Sequence, residues 1–418
     1  MMEYGCIAEK LSHSFSKEIH SKLYDEPYTL REVPKDELDS FMRKKEFKAI
    51  NVTIPYKGAV IPYLDEISPI AKDIGAVNTI VNRNGKLYGY NTDFMGLAGL
   101  IRWASISIAD KKVLILGSGG TSKTAYAVAN HMGAREAYRV SRSGSDGCIT
   151  YEEALSRHTD AQILINTTPC GMYPNLGNSA VELNDYPMVE GVVDAVYNPL
   201  RSKLICDAME KGIPAIGGLY MLVAQAVYAV EKFMDITIDP SRIEEIYREI
   251  AGSKENIILI GMPGCGKTTV GKALSEALSM ELIDTDALIV ENTGRQIPDI
   301  FAQDGETAFR DLESAAIRET AAKQHCIIAT GGGAILRKEN MDLLRQNGRI
   351  YFIDRPLAAL LPTDDRPLSS NRQALEQRYH ERYALYCAAC DCHITTVDTP
   401  EQVFRAIKED FTHEIAGN

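Results

Sequence analysis

The chain has 418 residues, of which 45% are hydrophobic and 24% are charged, and its formal net charge is −12. This size predicts about three globular domains, and the negative charge argues against a general nucleic-acid-binding protein, which would need a basic face. The longest nearly apolar run, residues 219–230, is too short to span a bilayer, and the acidic residues near the start lead us to expect no secretory signal. Nine scattered cysteines favour reduced thiols and a cytoplasmic location over a disulfide framework.

Segments typical of strands and helices alternate along almost the whole chain, which predicts an α/β protein with parallel sheets. Residues 1–102 are predicted to form a separate α/β layer, which the helical stretch 218–250 rejoins. Residues 103–217 are predicted to form a Rossmann-like domain. A polar linker, 251–256, then leads to a third α/β domain, 257–418.

The Rossmann-like domain begins with a strand, 111–120, which runs into a glycine turn and a helix, 121–133. The turn, GSGGTSKTA, is a near relative of G-x-G-x-x-G/A, and its position before a helix suits the pyrophosphate of a dinucleotide. The pattern alone is a weak signal, because a tight strand-to-helix connection without a ligand has the same sequence. The residues predicted to contact the dinucleotide here are Gly117, Ser118, Gly119 and Gly120.

The next strand, 136–143, ends in Ser141, Arg142 and Ser143. An acidic residue at this distance from the glycine turn would favour NAD by binding the ribose hydroxyls. A guanidinium with two hydroxyls instead suits a 2′-phosphate, so we predict NADP(H). The alternative is that Arg142 is an ordinary solvated surface arginine.

Seven short motifs stand in order along the first 250 residues: LSHSFSKEIH (11–20), NVTIPYK (51–57), GAVNTI (75–80), YNTDFMG (90–96), INTTPCGM (165–172), VYNPL (196–200) and GLYMLVAQA (218–226). In this order they resemble the shikimate dehydrogenases. Each motif is moderately specific, and the series is very specific. The resemblance implies a substrate domain and an NADP domain that together reduce 3-dehydroshikimate to shikimate with NADPH. The sequence departs from the family at Lys17, where proline is usual, and at Ser141, where asparagine is common.

By position in these motifs, Lys57 and Asp93 match the catalytic pair of the family. Hydride transfer to a carbonyl carbon requires a proton for the oxygen, and an ammonium beside a carboxylate can polarise that oxygen and deliver the proton. Without the motifs, Lys57 would be read as a surface lysine and Asp93 as a helix cap. The resemblance also implies that Met221 borders the nicotinamide. The implied substrate-binding residues are Ser14, Ser16, Thr53, Asn78, Tyr197 and Gln225.

The third domain begins with IILIGMPGCGKTT, residues 257–269, in which an apolar strand runs into the pattern G-x-x-x-x-G-K-[ST]. The glycines let backbone N–H groups surround a polyphosphate, Lys267 reaches the outer phosphates and Thr268 can hold Mg²⁺. The loop therefore predicts a nucleoside triphosphate site. Its predicted contact residues are Gly261, Gly264, Cys265, Gly266, Lys267, Thr268 and Thr269.

Five further motifs follow this loop: ELIDTDALI (281–289), FAQDGETAFRDLE (301–313), IIATGGGAI (327–335), DDRPLS (364–369) and ERYALY (381–386). In this order they resemble the shikimate kinases, whose fold is that of the nucleoside-monophosphate kinases. The resemblance implies that ATP, with Mg²⁺, phosphorylates the 3-hydroxyl of shikimate. It also implies a pair of arginines for the carboxylate of the acceptor, since a guanidinium fork suits that group.

The residues of the kinase site follow by position in these motifs. Arg310 and Arg382 match the carboxylate-binding arginines, Asp286 matches the residue that binds the hydroxyls and takes the proton, and Asp284 can reach magnesium through water. The remaining matches are the triplet Gly331, Gly332 and Gly333, which lets the backbone approach the acceptor ring, and the lid arginine Arg366. The alternatives are purely structural roles. Asp284 and Asp286 could form a strand-end turn and a helix cap, and Arg310 and Glu313 could form an ordinary helix ion pair.

Two features of this half stand apart from the family pattern. Where many relatives carry another lid arginine, this chain has Leu360, Leu361 and Pro362, and Arg355 is the nearest substitute. The run CAACDCH, 387–393, is rich in soft ligands but lacks a second paired knuckle, so structural thiols are favoured over a metal site.

The sequence thus predicts a fused shikimate dehydrogenase and shikimate kinase with two separate active sites. Two alternatives remain open. The halves could act on quinate with NAD and on a different polyol, or the chain could be a sensor that binds such metabolites without turnover. We expect small-molecule substrates and neither nucleic acid nor a membrane as partner, and the sequence leaves the oligomeric state open.

Overall fold

The computed structural model describes residues 2–11, 15–360, 372–395 and 399–416, with side chains described as far as residue 412. Three sheets of six, six and five strands form the framework of these residues, which confirms the predicted α/β fold class. The chain divides into two compact units. The first comprises Met1–Met172, Asn178–Asn198 and Asp207–Tyr247, and the second comprises Tyr173–Gly177, Pro199–Cys206 and Arg248–Asn418.

The first sheet is mixed and has the strand order β2-β1-β3-β5-β6-β4. Strand β1 pairs in parallel with β2 and β3, whereas β5 is antiparallel to β3 and β6. The central strands β1 and β3 are buried along their whole length, which explains their nearly continuous apolar sequence. The elements are β1 (Tyr4–Ala8), α1 (Ser16–His20), β2 (Tyr28–Glu32), α2 (Leu38–Lys44), β3 (Ala49–Val52), a 3₁₀ helix (Ile61–Tyr63), β4 (Glu66–Ile67), α3 (Pro69–Ile74), β5 (Thr79–Arg83), β6 (Lys86–Tyr90) and α4 (Thr92–Trp103).

The second sheet is parallel in every pairing and has the order β12-β11-β10-β7-β8-β9. The predicted series of strand, glycine turn, helix and strand is present as β7, α5 and β8. The elements are β7 (Lys112–Leu116), α5 (Gly120–His131), β8 (Glu136–Val140), β9 (Cys148–Ile149), α6 (Tyr151–Arg157), β10 (Ile163–Asn166), a 3₁₀ helix (Leu183–Asp185), β11 (Gly191–Asp194), α7 (Lys203–Glu210) and β12 (Ala215–Ile216).

Two helices follow the second sheet, α8 (Leu219–Met234) and α9 (Ser241–Gly252). Helix α8 packs on the first sheet, because Ala229 and Phe233 share a hydrophobic cluster with Tyr4. It also packs tightly on α4 at Gly96, where a Cβ atom would lie 2.8 Å from the carbonyl oxygen of Met221. A side chain at position 96 would therefore separate the two helices.

The third sheet is also parallel and has the order β14-β15-β13-β16-β17. Neighbouring parallel strands end at the same edge, so the loops after β13, β14 and β15 bring the phosphate loop, the two predicted aspartates and the glycine triplet together. The elements are β13 (Asn256–Ile260), α10 (Lys267–Leu278), β14 (Glu281–Asp284), α11 (Thr285–Thr293), α12 (Ile297–Ala321), β15 (Cys326–Ala329), a 3₁₀ helix (Ala334–Leu336), α13 (Lys338–Asn347), β16 (Gly348–Ile353), a 3₁₀ helix (Leu357–Ala359), α14 (Arg372–Ala389), β17 (Cys392–Ile394) and α15 (Pro400–Ala416).

The connection between the last two predicted domains is short. Helix α9 continues to Gly252 and β13 begins at Asn256, so the helix and the strand take up part of the predicted linker 251–256. Within the described ranges, no helix combines the length and the apolar character that crossing a bilayer requires.

Candidate functional site

The predicted catalytic pair of the first unit is a nearly buried ion pair. Lys57 lies in the turn after β3, and Asp93 is the second residue of α4. The Lys57 ammonium donates to Asp93 Oδ2 at 2.6 Å, and the two side chains are only 12% and 9% exposed. The helix cap is instead Asn91, whose Oδ1 accepts the Phe94 N–H at 3.1 Å. Asp93 is therefore free of the capping role that the alternative interpretation gave it.

Asn78, a predicted substrate ligand, is buried in a network of amides and hydroxyls. Its Oδ1 accepts the backbone N–H of Thr92 at 2.7 Å, and its Nδ2 donates to Thr92 Oγ1 at 3.0 Å. Behind it, Asn51 Nδ2 donates to Asn78 O at 3.3 Å and to Thr79 Oγ1 at 3.2 Å, and Tyr28 OH donates to Asn51 Oδ1 at 2.8 Å. The network fixes which way the Asn78 amide points. Sequence reasoning missed Asn51 and Tyr28, although Asn51 opens the NVTIPYK motif.

The other predicted substrate residues lie on several elements of the first unit. Thr53 follows β3 and its carbonyl accepts the Tyr56 N–H at 2.9 Å, in the turn that carries Lys57. Gln225 is buried in α8, where its Nε2 donates to Leu222 O at 2.8 Å. Ser16 lies at the start of α1, and the ring centroid of Tyr197 is 5.3 Å from that of Phe15. Met221, the residue predicted to border the nicotinamide, lies one turn before Gln225 on α8. Ser14 lies outside the described residues.

The glycine turn after β7 approaches this pair closely. A Cβ atom on Gly120 would lie 3.3 Å from Cδ of Lys57. Gly117 has φ +123°, and a Cβ atom there would lie 2.5 Å from Thr167 Oγ1, so only glycine fits. Ser118 and Gly119 are exposed at the start of α5, where backbone N–H groups favour an anion. The turn thus combines an exposed helix N-terminus with proximity to the predicted catalytic lysine.

The three residues predicted to recognise a 2′-phosphate differ in exposure. Ser141 is buried, and its Oγ accepts the Gly144 N–H at 3.1 Å, so this hydroxyl shapes the turn. Arg142 and Ser143 are exposed on the same turn. The accessible donors for an anion here are therefore the guanidinium of Arg142 and the hydroxyl of Ser143.

The phosphate loop of the second unit wraps around its lysine. The Lys267 ammonium donates to Gly261 O at 2.8 Å, to Met262 O at 3.1 Å and to Cys265 Sγ at 3.7 Å. Gly261 has φ +148°, and a Cβ atom there would lie 2.7 Å from Ile353 O. The loop needs glycine at this position because the backbone of β16 passes so near.

Thr268 and Asp284, the predicted magnesium residues, are hydrogen-bonded. Thr268 Oγ1 donates to Asp284 Oδ2 at 2.9 Å. The other oxygen of Asp284 caps α11 by accepting the N–H groups of Asp286 at 3.0 Å and Ala287 at 3.3 Å. Asp284 is thus a helix cap, as the alternative proposed, and its second oxygen still faces the phosphate loop. Carboxylate and hydroxyl oxygens are the donor types that Mg²⁺ prefers, so the pair fits this ion.

These residues line a cavity of about 320 Å³ in the second unit. Arg355, the nearest substitute for the missing lid arginine, also lines it and has Nη1 at 3.4 Å from Gly264 O. The cavity-lining residues are Gly264, Cys265, Gly266, Lys267, Thr268, Thr269, Val270, Asp284, Asp286, Thr330, Gly332, Arg355, Pro400 and Val403. Arg366 lies outside the described residues.

The predicted acceptor residues gather around the glycine triplet. A Cβ atom on Gly331 would lie 2.6 Å from Asp286 Oδ1 and 2.6 Å from Glu313 Oε1, and one on Gly333 would clash with the Arg310 guanidinium. Arg382 Nη1 donates to Gly332 O at 3.0 Å. The triplet is therefore the point where both predicted arginines and Asp286 meet the backbone.

Arg310 is held by two carboxylates on its own helix. Its Nη1 donates to Glu313 at 2.7 Å, and its Nη2 donates to Glu306 at 3.0 Å. Helix α12 is broken between these acids and its first turns, since Gly305 has φ +81° and ψ 176°. Burial raises the pKa of Glu313 despite the nearby Arg310. The ion pair between Arg310 and Glu313 that the structural alternative predicted is therefore present, but it is buried and is not an ordinary surface pair.

The cysteine-rich run 387–393 spreads over a helix end and a strand. Cys387 is exposed on α14, and His393 Nε2 lies 2.8 Å from Asp354 Oδ2, which also accepts the Tyr383 hydroxyl at 2.9 Å. Across the ranges for which side chains are described, no three histidine, cysteine, aspartate or glutamate residues are placed to hold a metal ion.

Comparison with known proteins identifies the first part of the chain. A family model described as the shikimate dehydrogenase substrate binding domain matches residues 6–80. Shikimate dehydrogenase (NADP(+)) from Clostridium perfringens is 38% identical over 267 residues, which are 60% of this chain and 98% of that protein. The chain belongs to the shikimate dehydrogenase family. The resemblance inferred from the seven motifs is therefore confirmed.

Two solved structures extend this similarity to the fold. Shikimate dehydrogenase 1 from Peptoclostridium difficile is 38% identical, with a TM-score of 0.56, over 60% of this chain and 98% of that one. The shikimate 5-dehydrogenase from Thermus thermophilus, solved in complex with NADP(H) and shikimate, is 27% identical, with a TM-score of 0.54, over 60% of this chain and 99% of that one. Both similarities leave out the C-terminal part.

The C-terminal part matches a different family. The shikimate kinase family model covers residues 263–412, which include Lys267, Arg310, the glycine triplet and Arg382. The chain is therefore a shikimate dehydrogenase joined to a shikimate kinase domain. It carries these two activities, which both belong to the shikimate pathway.

One buried histidine near the Asn78 network has a strongly shifted pKa. His20 is 1% exposed, and its ring stacks on Tyr28 with 3.7 Å between ring centroids. Burial lowers the pKa of His20 to about 3. The sequence signal for this residue was slight, because the last turn of a five-residue helix does not reveal which face is buried.

We predict that His20 makes the first unit sensitive to acid. Between about pH 6.5 and 3, the unfolded chain binds a proton on this histidine that the folded chain does not, so stability falls as the pH falls. His20→Phe keeps the ring and removes the titration. It should reduce the loss of unfolding free energy between pH 7 and pH 5 by about 2 kcal/mol, measured by urea unfolding. His131→Phe, at an exposed position, is the control, and an unchanged pH dependence in His20→Phe would contradict the prediction.

Proposed function

We propose that the two halves catalyse consecutive reactions: reduction of 3-dehydroshikimate to shikimate, and transfer of a phosphoryl group from ATP to the 3-hydroxyl of that shikimate. One observation carries this proposal. Each compact unit holds its own glycine turn beside its own lysine, Gly120 with Lys57 in the first and Gly261 with Lys267 in the second. Neither set of residues needs a group from the other.

In the reduction, Lys57 is the proton donor. Its ammonium, held by Asp93 at 2.6 Å, polarises the carbonyl oxygen and gives it a proton as the carbonyl carbon is reduced. NADPH supplies the hydride when bound. Asp93 keeps the ammonium in place and stabilises its charge. Asn78, Thr53 and Gln225 offer neutral polar groups to the hydroxyls and carboxylate of the substrate.

In the phosphoryl transfer, Asp286 accepts the proton of the attacking hydroxyl. Lys267 and the N–H groups of the phosphate loop hold the transferring phosphoryl group and stabilise its charge. Thr268 and Asp284 would hold Mg²⁺, which offsets phosphate charge when bound. Arg310 and Arg382 fix the acceptor through its carboxylate. Arg366 is proposed to close over the phosphates, and Arg355 to contact the nucleotide from the wall of the cavity.

The alternatives make different demands on the same residues. A dehydrogenase for quinate and NAD would not need the guanidinium of Arg142, and a kinase for an uncharged polyol would not need two arginines beside the glycine triplet. A sensor without turnover would not need Lys57 and Asp93 at hydrogen-bond distance. The nine cysteines are present as thiols rather than as disulfides, which supports a reducing compartment, and we propose the cytoplasm.

The proposal is tested by product analysis. The purified chain is given 3-dehydroshikimate, NADPH, ATP and Mg²⁺, and the products are identified by mass spectrometry. We expect shikimate 3-phosphate only when both nucleotides are present. A parallel panel of substrates is tested in the same way. A preference of the dehydrogenase half for quinate with NAD, or of the kinase half for a different polyol, would favour the first alternative. Ligand binding without any product would favour the sensor.

The two activities should be separable by single substitutions. Lys57→Ala removes the proton donor, so the rate of reduction should fall by a factor of roughly 10² to 10⁴, while phosphorylation of supplied shikimate is kept. Lys267→Ala should do the reverse, because it leaves the phosphates without their buried cation. Lys72→Ala and Lys272→Ala change exposed lysines of the same two units and serve as controls. Loss of both activities in either folded variant would contradict the two-site proposal.

The magnesium assignment predicts a metal-dependent defect. Asp284→Asn removes the charge but keeps a residue that caps helices well. The kinase should then need roughly 10 to 100 times more free Mg²⁺ for half-maximal rate at fixed ATP. Asp342→Asn, on α13, is the control. An unchanged magnesium titration with a lower rate at all concentrations would remove Asp284 from the metal site.

The NADP assignment predicts a change for one dinucleotide only. Arg142→Ala should raise KM for NADPH about tenfold, because a hydrogen-bonded charge pair with the 2′-phosphate is lost. KM for NADH should stay unchanged. Arg135→Ala, a second exposed arginine of the same domain, is the control. An equal rise for NADPH and NADH would show that Arg142 does not contact the 2′-phosphate.

A further inference from the structure

A third arginine stands beside the two that the kinase motifs identify. Helix α14 carries Arg378 one turn before Arg382, and residues four apart lie on the same face of a helix. The guanidinium of Arg382 reaches the glycine triplet through Gly332 O. Arg378 therefore stands on the helix face that is turned toward the acceptor residues, outside every motif quoted above.

The hydrogen-bond donors of this cluster are unequally used. The Nε and Nη2 of Arg310 donate to Glu306 at 3.3 and 3.0 Å, and its Nη1 donates to Glu313 at 2.7 Å. Arg382 has its Nη1 on Gly332 O. Arg378 Nη1 is buried and has no hydrogen-bond partner among the residues that the structure describes. A buried N–H without an acceptor is costly, so the cluster has a donor that is ready for an anion.

The charges of the other two arginines act on Arg378. Burial lowers the pKa of Arg378, and the positive charges of Arg382 and Arg310 lower that pKa further, against the opposing effect of Glu306 and Glu381. Three cations this close repel one another unless an anion joins them. On Arg310, Glu306 and Glu313 supply that anion, whereas the remaining positive charge is on the two arginines of α14.

We propose that Arg378 is a third anion-binding arginine of the acceptor site and that it donates to the carboxylate of the hydroxylated ring acid that the kinase half phosphorylates. This inference rests on the kinase function proposed above. The carboxylate is the fitting anion because the nucleotide phosphates have their own donors, in Lys267 and the loop amides. Arg378 does not line the cavity that those groups share.

The test measures binding of the acceptor separately from binding of the nucleotide. In the full-length chain, Arg378→Gln should raise KM for shikimate about tenfold or more, while kcat and KM for MgATP stay within about twofold. Arg378→Lys keeps the charge without the fork and should recover part of the loss. Arg405→Gln, an exposed arginine of α15 paired with Glu401, is the matched control and should behave as the unmodified chain.

The methyl ester of shikimate distinguishes a carboxylate contact from a structural role. Dissociation constants for shikimate and for its ester are measured by calorimetry on the unmodified chain and on Arg378→Gln. If Arg378 contacts the carboxylate, Arg378→Gln should weaken shikimate binding about tenfold and ester binding hardly at all. Equal weakening of both ligands would overturn the proposal, as would a change confined to MgATP. Loss of nucleotide binding in both Arg378→Gln and Arg378→Lys would show a structural role and would likewise overturn it. Failure of MgATP to support any phosphorylation by the unmodified chain would instead refute the kinase function itself.

Discussion

Close approach of the backbone to functional side chains, which only glycine permits, is the constraint on which both sites depend. Gly117 leaves no room for a Cβ atom beside Thr167, and Gly261 leaves none beside the backbone of β16. Gly331 leaves no room for a Cβ atom beside the carboxylates of Asp286 and Glu313. Each of these glycines follows a parallel strand, where the sheet edge gathers loops that are distant in sequence. Larger residues at these positions would displace Thr167, the β16 backbone or the two carboxylates.

Buried charges set the second condition, because removing a charge from water costs free energy that a partner in the fold offsets. Lys57 has Asp93, and Arg310 has Glu306 and Glu313. Such pairs stabilise a fold little, since the cost of removing water offsets much of the attraction. Their value is geometric: a paired charge points in one direction, and a reaction that moves a proton or a phosphoryl group needs that fixed direction. Removing one partner leaves the other charge buried alone, which explains why single changes here are expected to act strongly.

Much of this arrangement could be predicted from the sequence because its signals are local. The strand-to-glycine-to-helix pattern located β7 with α5 and β13 with α10, and the resemblance to two enzyme families paired Lys57 with Asp93 and assigned Arg310 and the glycine triplet to one acceptor site. Tyr28, Asn51 and His20 could not be found in this way, since their importance comes from contacts between β2, β3 and α1 that no local pattern encodes. The sequence also could not show that the two oxygens of Asp284 differ, one capping α11 and the other accepting the Thr268 hydroxyl.

In our proposal the two halves recognise the same acid with different donors, and the charge already present in each site accounts for the choice. In our proposal the dehydrogenase half surrounds its substrate with neutral hydroxyls and amides, and the cation beside the substrate is Lys57. A second cation there would repel the lysine ammonium and compete for Asp93. The kinase half must hold a carboxylate in the same site as the negatively charged phosphates of the nucleotide. Repulsion between those anions is offset only by added positive charge, which Arg310, Arg382 and the unused donor of Arg378 can supply. The fixed chemistry of each reaction thus decides whether the carboxylate is met by neutral donors or by guanidinium groups.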